Sequence, residues 1–180
     1  MKQFLLLIIC CGCFSTYSQT TNEIPRKVVL IRHGEKGATG DNLSCQGLNR
    51  SLQLSGVLHN KFGTFTHIFV PTLHEGKATT HSRMFQTITP YAVKENLAIS
   101  TKFEEADIAG ITKYIMKQDG TVLLVWEHKN IRKIVKALGI SGDERWEDND
   151  FDSIWILTFP KGIPTLTKDK EGLNPSASCN

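Results

Sequence analysis

The chain is predicted to fold as an α/β protein: a mostly parallel sheet covered by helices on both sides, in three layers. Short apolar runs at 28–31 (VVLI), 67–70 (HIFV) and 122–126 (VLLVW) have the composition of strands buried on both faces. Stretches with apolar residues at helical spacing alternate with them, the pattern of a parallel sheet with crossover helices. At 180 residues and 40% apolar side chains, the chain is long enough for one core and leaves little room for a second.

Residues 1–18 read as a secretory signal peptide rather than as part of the fold. Lys2 supplies the basic start, residues 4–14 form an apolar stretch of eleven, and Thr16 and Ser18 make a small-x-small cleavage site before Gln19. Eleven residues fall short of the about 20 that span a bilayer. The expected product is therefore an exported domain, periplasmic or secreted, covering residues 19–180 with no transmembrane segment. Cys10 and Cys13 have Cys-x-x-Cys spacing but sit in the apolar stretch, where they read as leader residues. A lipid-bearing cysteine is the alternative. Cys45 and Cys179 then remain, either as one disulfide or as two free thiols.

Beyond the leader, VVLI is followed by a Gly-bearing loop and a helix expected over residues 45–62. Leu48, Leu52, Ser55 and Leu58 suggest its inner stripe, and Gly63 its stop. HIFV closes at Pro71, residues 72–80 form a polar loop, and residues 82–95 form a helix that Pro90 should shorten or kink. Asp107 is placed to cap a helix running to about Gln118, ahead of Gly120. After VLLVW, Asn130 is placed as the cap of a helix with Ile131, Ile134, Val135 and Leu138 on one face, ended by Gly139. The acidic stretch 142–150 reads as a solvated loop, 154–159 (IWILTF) as a last strand, and the tail beyond Pro164 as loosely held.

Ligands of such sheets bind outside the carboxyl ends of the strands. Directly after the first strand stands Arg32-His33-Gly34-Glu35; directly after the VLLVW strand stands Glu127-His128; and Arg83 follows the loop that leaves HIFV. Two arginines and two histidines at one mouth are a kit for phosphoryl transfer. Guanidinium forks match phosphate oxygens, and they lower the repulsion that a neutral imidazole meets in attacking phosphorus. The second histidine, kept protonated by the anion, would stabilise the transition state. Gly34 would let backbone N–H groups approach the ligand. The net charge of +3, or +2 once Lys2 is removed, is too small to indicate a nucleic-acid surface.

The stretch VVLIRHGEK resembles the signature of the histidine phosphatase superfamily, which includes the cofactor-dependent phosphoglycerate mutases. Leu43-Ser44 with Gly47 and Arg50 is similar to that family's LTxxGxxRA segment, 83–87 (RMFQT) resembles its RxxQT segment, and VLLVWEHKNI stands where it carries a second histidine. The resemblance runs from Val28 to Gly139 and implies a phosphoglycerate mutase-like fold. It also implies His33 as the nucleophile that becomes phosphohistidine, Arg32 and Arg83 as phosphate ligands, and His128 as completing the pocket, with no metal and no cofactor. The chain departs from the pattern at Glu127, where a Gly is usual, and at Pro71, where a Ser is common. Mutase-like members use a Glu between the second Arg and the second His as general acid. Glu105 is the first choice here, with Glu35 and Glu127 as competitors.

The reading is an exported, metal-independent phosphatase acting on a small phosphorylated substrate. A family member that binds such a ligand without turnover is the alternative. His59, His67, His74 and His81 lack the spacing of a zinc ligand set and read as surface or loop residues, His81 being the one placed to line the pocket. Trp126, Trp146 and Trp155 read as packing residues, and Asn42 and Asn49 begin glycosylation sequons.

Overall fold

The computed structural model describes residues 27–74 and 81–179. The leader with Cys10, Cys11 and Cys13, its cleavage site, and most of the polar loop at 72–80 lie outside the described residues.

In chain order the elements are β1 (Lys27–Arg32), α1 (Cys45–Phe62), β2 (His67–Pro71), α2 (Ser82–Lys94), β3 (Ile99–Phe103), α3 (Ile108–Ile115), β4 (Thr121–Trp126), α4 (His128–Ala137), β5 (Ser153–Thr158) and β6 (Thr165–Lys170). The strands form one sheet in the order β3-β2-β4-β1-β5-β6. The first four run parallel; β5 and β6 are added antiparallel.

The apolar runs are continuous because both faces are covered. Along β1, Val29 and Ile31 face Leu54, Leu58, Met84, Ile88 and Tyr91 of α1 and α2. Val28 and Leu30 face the other way, onto Ile111, Ile115, Ile131, Ile134 and Val135 of α3 and α4. β4 alternates likewise, with Leu123 and Val125 on one side and Val122, Leu124 and Trp126 on the other. Each fully buried Leu or Ile contributes about 1.5–3 kcal/mol. All three tryptophans are buried.

Several expectations need correction. The inner face of α1 is Gly47, Arg50, Ser51, Leu54, Ser55 and Leu58, whereas Leu48 and Leu52 are exposed. Small residues face inward because α1 lies close to the β1 loop and to α2. The helix through Pro90 continues for its last turn to Lys94. Asp107 caps α3 as expected, accepting from Gly110 N–H at 2.9 Å, but the helix ends at Ile115, short of Gln118. The cap of α4 is Glu127, accepting from Lys129 N–H at 2.7 Å, so α4 starts two residues before Asn130.

The tail is not loose. Residues Thr165–Lys170 pair along all of β5, an edge strand that its charged sequence conceals. Beyond it, Glu171 is buried against Arg50 (2.5 Å), which also grips the Glu35 carboxylate through Nη2 at 2.8 Å. Asn49 donates to the carbonyls of Ser176 and Ser178 at 2.9 Å. Cys45 and Cys179 form a disulfide across 134 residues of sequence. By loop-closure entropy a link of that span stabilises by roughly 4–5 kcal/mol.

Candidate active site

β1 and β4 lie side by side in register from Lys27 opposite Thr121 to Arg32 opposite Trp126. Because parallel neighbours end at the same level, the residues that follow them emerge together: His33 after one strand, Glu127 and His128 after the other. The His33 N–H bridges the two strand ends by donating to the Trp126 carbonyl at 3.4 Å.

His33 is 3% exposed. Its Nδ1 donates to the Gly34 carbonyl at 2.7 Å, which fixes the neutral tautomer with the lone pair on Nε2. Burial pushes its pKa down to about 4, and the positive charges of Arg32, Arg83 and His128 push the same way. A neutral imidazole with a free lone pair, surrounded by cations, is suited to attack an anionic centre.

Arg32 extends from the last position of β1. Its Nη1 donates to the carbonyls of Asp148 (2.6 Å) and Asp150 (3.3 Å), and its guanidinium stacks 4.0 Å over the Phe151 ring. Burial lowers its pKa, against the carboxylates of Glu127, Asp148 and Asp150. Arg83, in the first turn of α2, donates from Nη1 to the Gly40 carbonyl at 3.2 Å. Its Nε and that of Arg32 are buried with no acceptor among the described residues. Buried donors are nearly always paired, so two orphaned guanidinium N–H groups beside one imidazole call for an anion.

His128 opens α4. Its Nε2 lies 2.9 Å from Asp148 Oδ1. Glu127 Oε1 is 2.6 Å from Nδ1 but out of line with it, so Nδ1 makes no hydrogen bond. The Asp148 side chain is 89% exposed, an anion held over the site from the solvent side. The loop expected to be solvated thus folds back over the site, anchored by Trp146, which packs on Trp155 and donates to the Asp150 carbonyl at 2.8 Å.

The frame around these groups explains the spacing of the other motif residues. Gly34 N–H donates to Thr87 Oγ1 at 2.8 Å, and Thr87 in turn donates to the Arg83 carbonyl at 2.7 Å. Gly34 therefore serves close packing, not an N–H offered to a ligand: a Cβ there would lie 3.0 Å from the Gly47 carbonyl oxygen. Gln86 accepts from Leu43 N–H at 3.0 Å and donates to Asn42 at 2.7 Å, tying α2 to the β1–α1 loop.

Of the three carboxylates considered as an acid, Glu35 is engaged by Nε and Nη2 of Arg50, and Glu127 caps α4. Glu105, in the β3–α3 loop, is placed differently. Its Oε1 accepts from Asn130 Nδ2 at 2.8 Å and its Oε2 lies 2.7 Å from His81 Nε2. Sequence reasoning missed Phe151, Asp148 and Asn130, because nothing in their local spacing ties them to the two arginines. Among the described residues no group of three or more His, Cys, Asp or Glu is arranged to hold a metal ion, and no helix is long and apolar enough to cross a membrane.

No protein-family model matches the sequence, and no curated protein does. Solved structures do match in fold. The putative phosphohistidine phosphatase SixA from Agrobacterium tumefaciens superposes with a TM-score of 0.57 at 16% identity, covering 82% of this chain and 99% of that one. A putative alpha-ribazole-5'-P phosphatase from Escherichia coli gives 0.53 at 12% identity, over 87% of this chain and 98% of that one. Phosphoglycerate mutase from Bacillus anthracis gives 0.52 at 14%, over 82% and 93%. The chain has the phosphoglycerate mutase-like fold.

Proposed function

We propose that the protein is a phosphatase of the histidine phosphatase type, hydrolysing a small phosphomonoester or phosphoramidate through a phosphohistidine on His33. The observation that carries the reading is the neutral His33 beside the guanidinium groups of Arg32 and Arg83, whose buried Nε donors have no acceptor among the described residues. The fold-level likeness to phosphatases and a mutase agrees with it.

In this reading Arg32 and Arg83 hold the phosphoryl oxygens and neutralise most of their charge. His33 Nε2 attacks phosphorus in line with the leaving oxygen, and His128 stabilises the equatorial oxygens. Glu105 gives the leaving oxygen its proton, help worth about 10²–10⁴-fold for a poor leaving group. Water then attacks the phosphohistidine, returning phosphate and neutral His33. Charge neutralisation by two arginines asks for no metal. Export is part of the proposal, supported by the composition of residues 1–18 and by the Cys45–Cys179 disulfide, which suits an oxidising compartment.

The test is phosphate release by residues 19–180 from p-nitrophenyl phosphate, glycerol phosphate and a phosphoramidate in EDTA, with His33→Ala alongside. Acid-labile label on the wild-type protein, and loss of both label and turnover in His33→Ala, is the expected result. Undiminished turnover in His33→Ala would overturn the assignment. Phosphate binding without turnover on any substrate would favour a binding protein instead.

A further inference from the structure

The chain beyond β6 runs back across the molecule and touches both segments that frame the candidate site. On one side it meets α1. Cys179 is joined to Cys45 in the first turn of that helix, Asn49 donates to the Ser176 and Ser178 carbonyls, and Glu171 accepts from Arg50 Nη1 at 2.5 Å. On the other side it meets the segment that leads into β5. Glu171 N–H donates to the Asp152 carbonyl at 2.7 Å, and Leu173 N–H donates to Asp152 Oδ1 at 3.1 Å. Residues 171–179 therefore span from one segment to the other.

Each end of this span bears on a residue of the site. Arg50, held by Glu171, donates from Nε and Nη2 to the Glu35 carboxylate at 3.0 and 2.8 Å. Ser44, the neighbour of Cys45, donates its N–H and its hydroxyl to the Glu35 carbonyl at 2.9 and 3.2 Å. Glu35 stands two residues after His33. At the other end Asp152 N–H donates to Asp150 Oδ1 at 2.9 Å, and the Asp150 carbonyl accepts from Arg32 Nη1 at 3.3 Å. Phe151, between them, lies 4.0 Å from the Arg32 guanidinium and 6.1 Å from the His33 ring, measured to its centroid.

We propose that residues 171–179 are a positioning strap for the phosphate pocket, and that the Cys45–Cys179 disulfide is its redox latch. Closed, the strap fixes the segments that carry His33 and orient Arg32. Opened by a dithiol reductant, it lets both segments relax and phosphate binding weakens. The proposal rests on the phosphate-pocket reading above and adds to it the element that holds the pocket in shape.

The latch is reachable, because Cys179 is exposed and Cys45 only half-buried. A thiolate of the reductant attacks Cys179 Sγ, the Cys45–Cys179 bond breaks, and Cys45 leaves as a thiolate that takes a proton. The second thiol of the reductant then displaces Cys179, so the reductant is oxidised to a disulfide by two electrons and both cysteines end as thiols. Strand pairing stops at Lys170. Past Glu171 the strap is held to the fold by the Asn49 and Leu173 hydrogen bonds and by the packing of Leu173 and buried Pro175. Exposed chain ends with so few ties fray once a covalent link is cut.

The test is calorimetric binding of inorganic phosphate to the oxidised protein, to the same protein reduced with dithiothreitol and then reoxidised, and to Cys179→Ser. Reduction should weaken phosphate binding by about five- to twentyfold, with reoxidation restoring it. Cys179→Ser should bind as weakly as the reduced wild type and ignore dithiothreitol. Hydrogen exchange should quicken at the Leu173 and Ser44 amides while those of β1 and β4 stay protected. An affinity that reduction changes by less than about twofold would overturn the latch. Loss of protection throughout β1 and β4 would overturn it too, since the disulfide would then hold the whole fold and not the pocket. If the oxidised wild type binds no phosphate, the phosphate-pocket reading itself fails and the strap falls with it.

Discussion

Gly47, in the first turn of α1, lies so close to Glu35 that a Cβ on it would collide with the Glu35 carbonyl and amide. The helix and the loop carrying His33 are in backbone contact, and Ser44 reinforces the contact by donating its N–H to the same Glu35 carbonyl at 2.9 Å. The loop of the candidate nucleophile is therefore seated on α1.

Gly47→Ala forces that seat apart. The clash is with backbone, which has nowhere to retreat, so a loss of about 2–3 kcal/mol in urea unfolding is expected, with turnover falling further than stability. Gly34→Ala, facing the same contact at 3.0 Å, should cost less. Equal stability of Gly47→Ala and wild type would show that α1 does not hold the loop.

Thr87 connects the candidate nucleophile and the second arginine through one hydroxyl, accepting from Gly34 and donating to the Arg83 carbonyl. Thr87→Val keeps the shape and leaves the buried Gly34 N–H unpaired. The expected cost is about 1–3 kcal/mol, with a loss of kcat/KM that Thr87→Ser largely restores. A valine variant indistinguishable from wild type in both measurements would remove Thr87 from the frame.

His33 gives a pH signature. Its pKa is near 4 in the folded chain against about 6.5 unfolded, so the unfolded chain binds more protons between those values. The stabilisation is fully present above about pH 6.5 and is lost as pH falls towards 4. Wild type should lose on the order of 2–3 kcal/mol more over that window than His33→Gln does. A ring-carbon NMR titration of the free protein should put the His33 midpoint near 4. A midpoint at 6.5 would contradict the burial argument.

Asp148 competes with an incoming anion for His128, its carboxylate 2.9 Å from Nε2. Because this carboxylate is exposed, its displacement is cheap, and Asp148→Asn should tighten inorganic phosphate binding only about two- to fivefold. The gain should shrink as salt rises. Weaker phosphate binding by Asp148→Asn, measured by calorimetry, would mean that Asp148 supports the pocket instead of competing for it.

What was legible in the sequence was whatever local pattern determines. Apolar runs marked β1, β2 and β4, helical spacing and Gly63 gave the bounds of α1, and the strand ends contained Arg32, the last residue of β1, with His33 and His128 just beyond. These follow from the period of side chains along one segment and from where a buried strand must end. Tertiary structure decided the rest. β3 (ISTKF) and β6 (TLTKDK) are half-polar edge strands, identifiable only once a neighbour pairs with them. Which face of α1 turns inward depended on the approach of Gly47 to Glu35, so apolar Leu48 and Leu52 stay outside. The disulfide, the Arg50 cluster, the fold-back of Asp148 and the His81–Glu105 contact join residues far apart in sequence. Such contacts depend on how the chain closes in space, which no local spacing records.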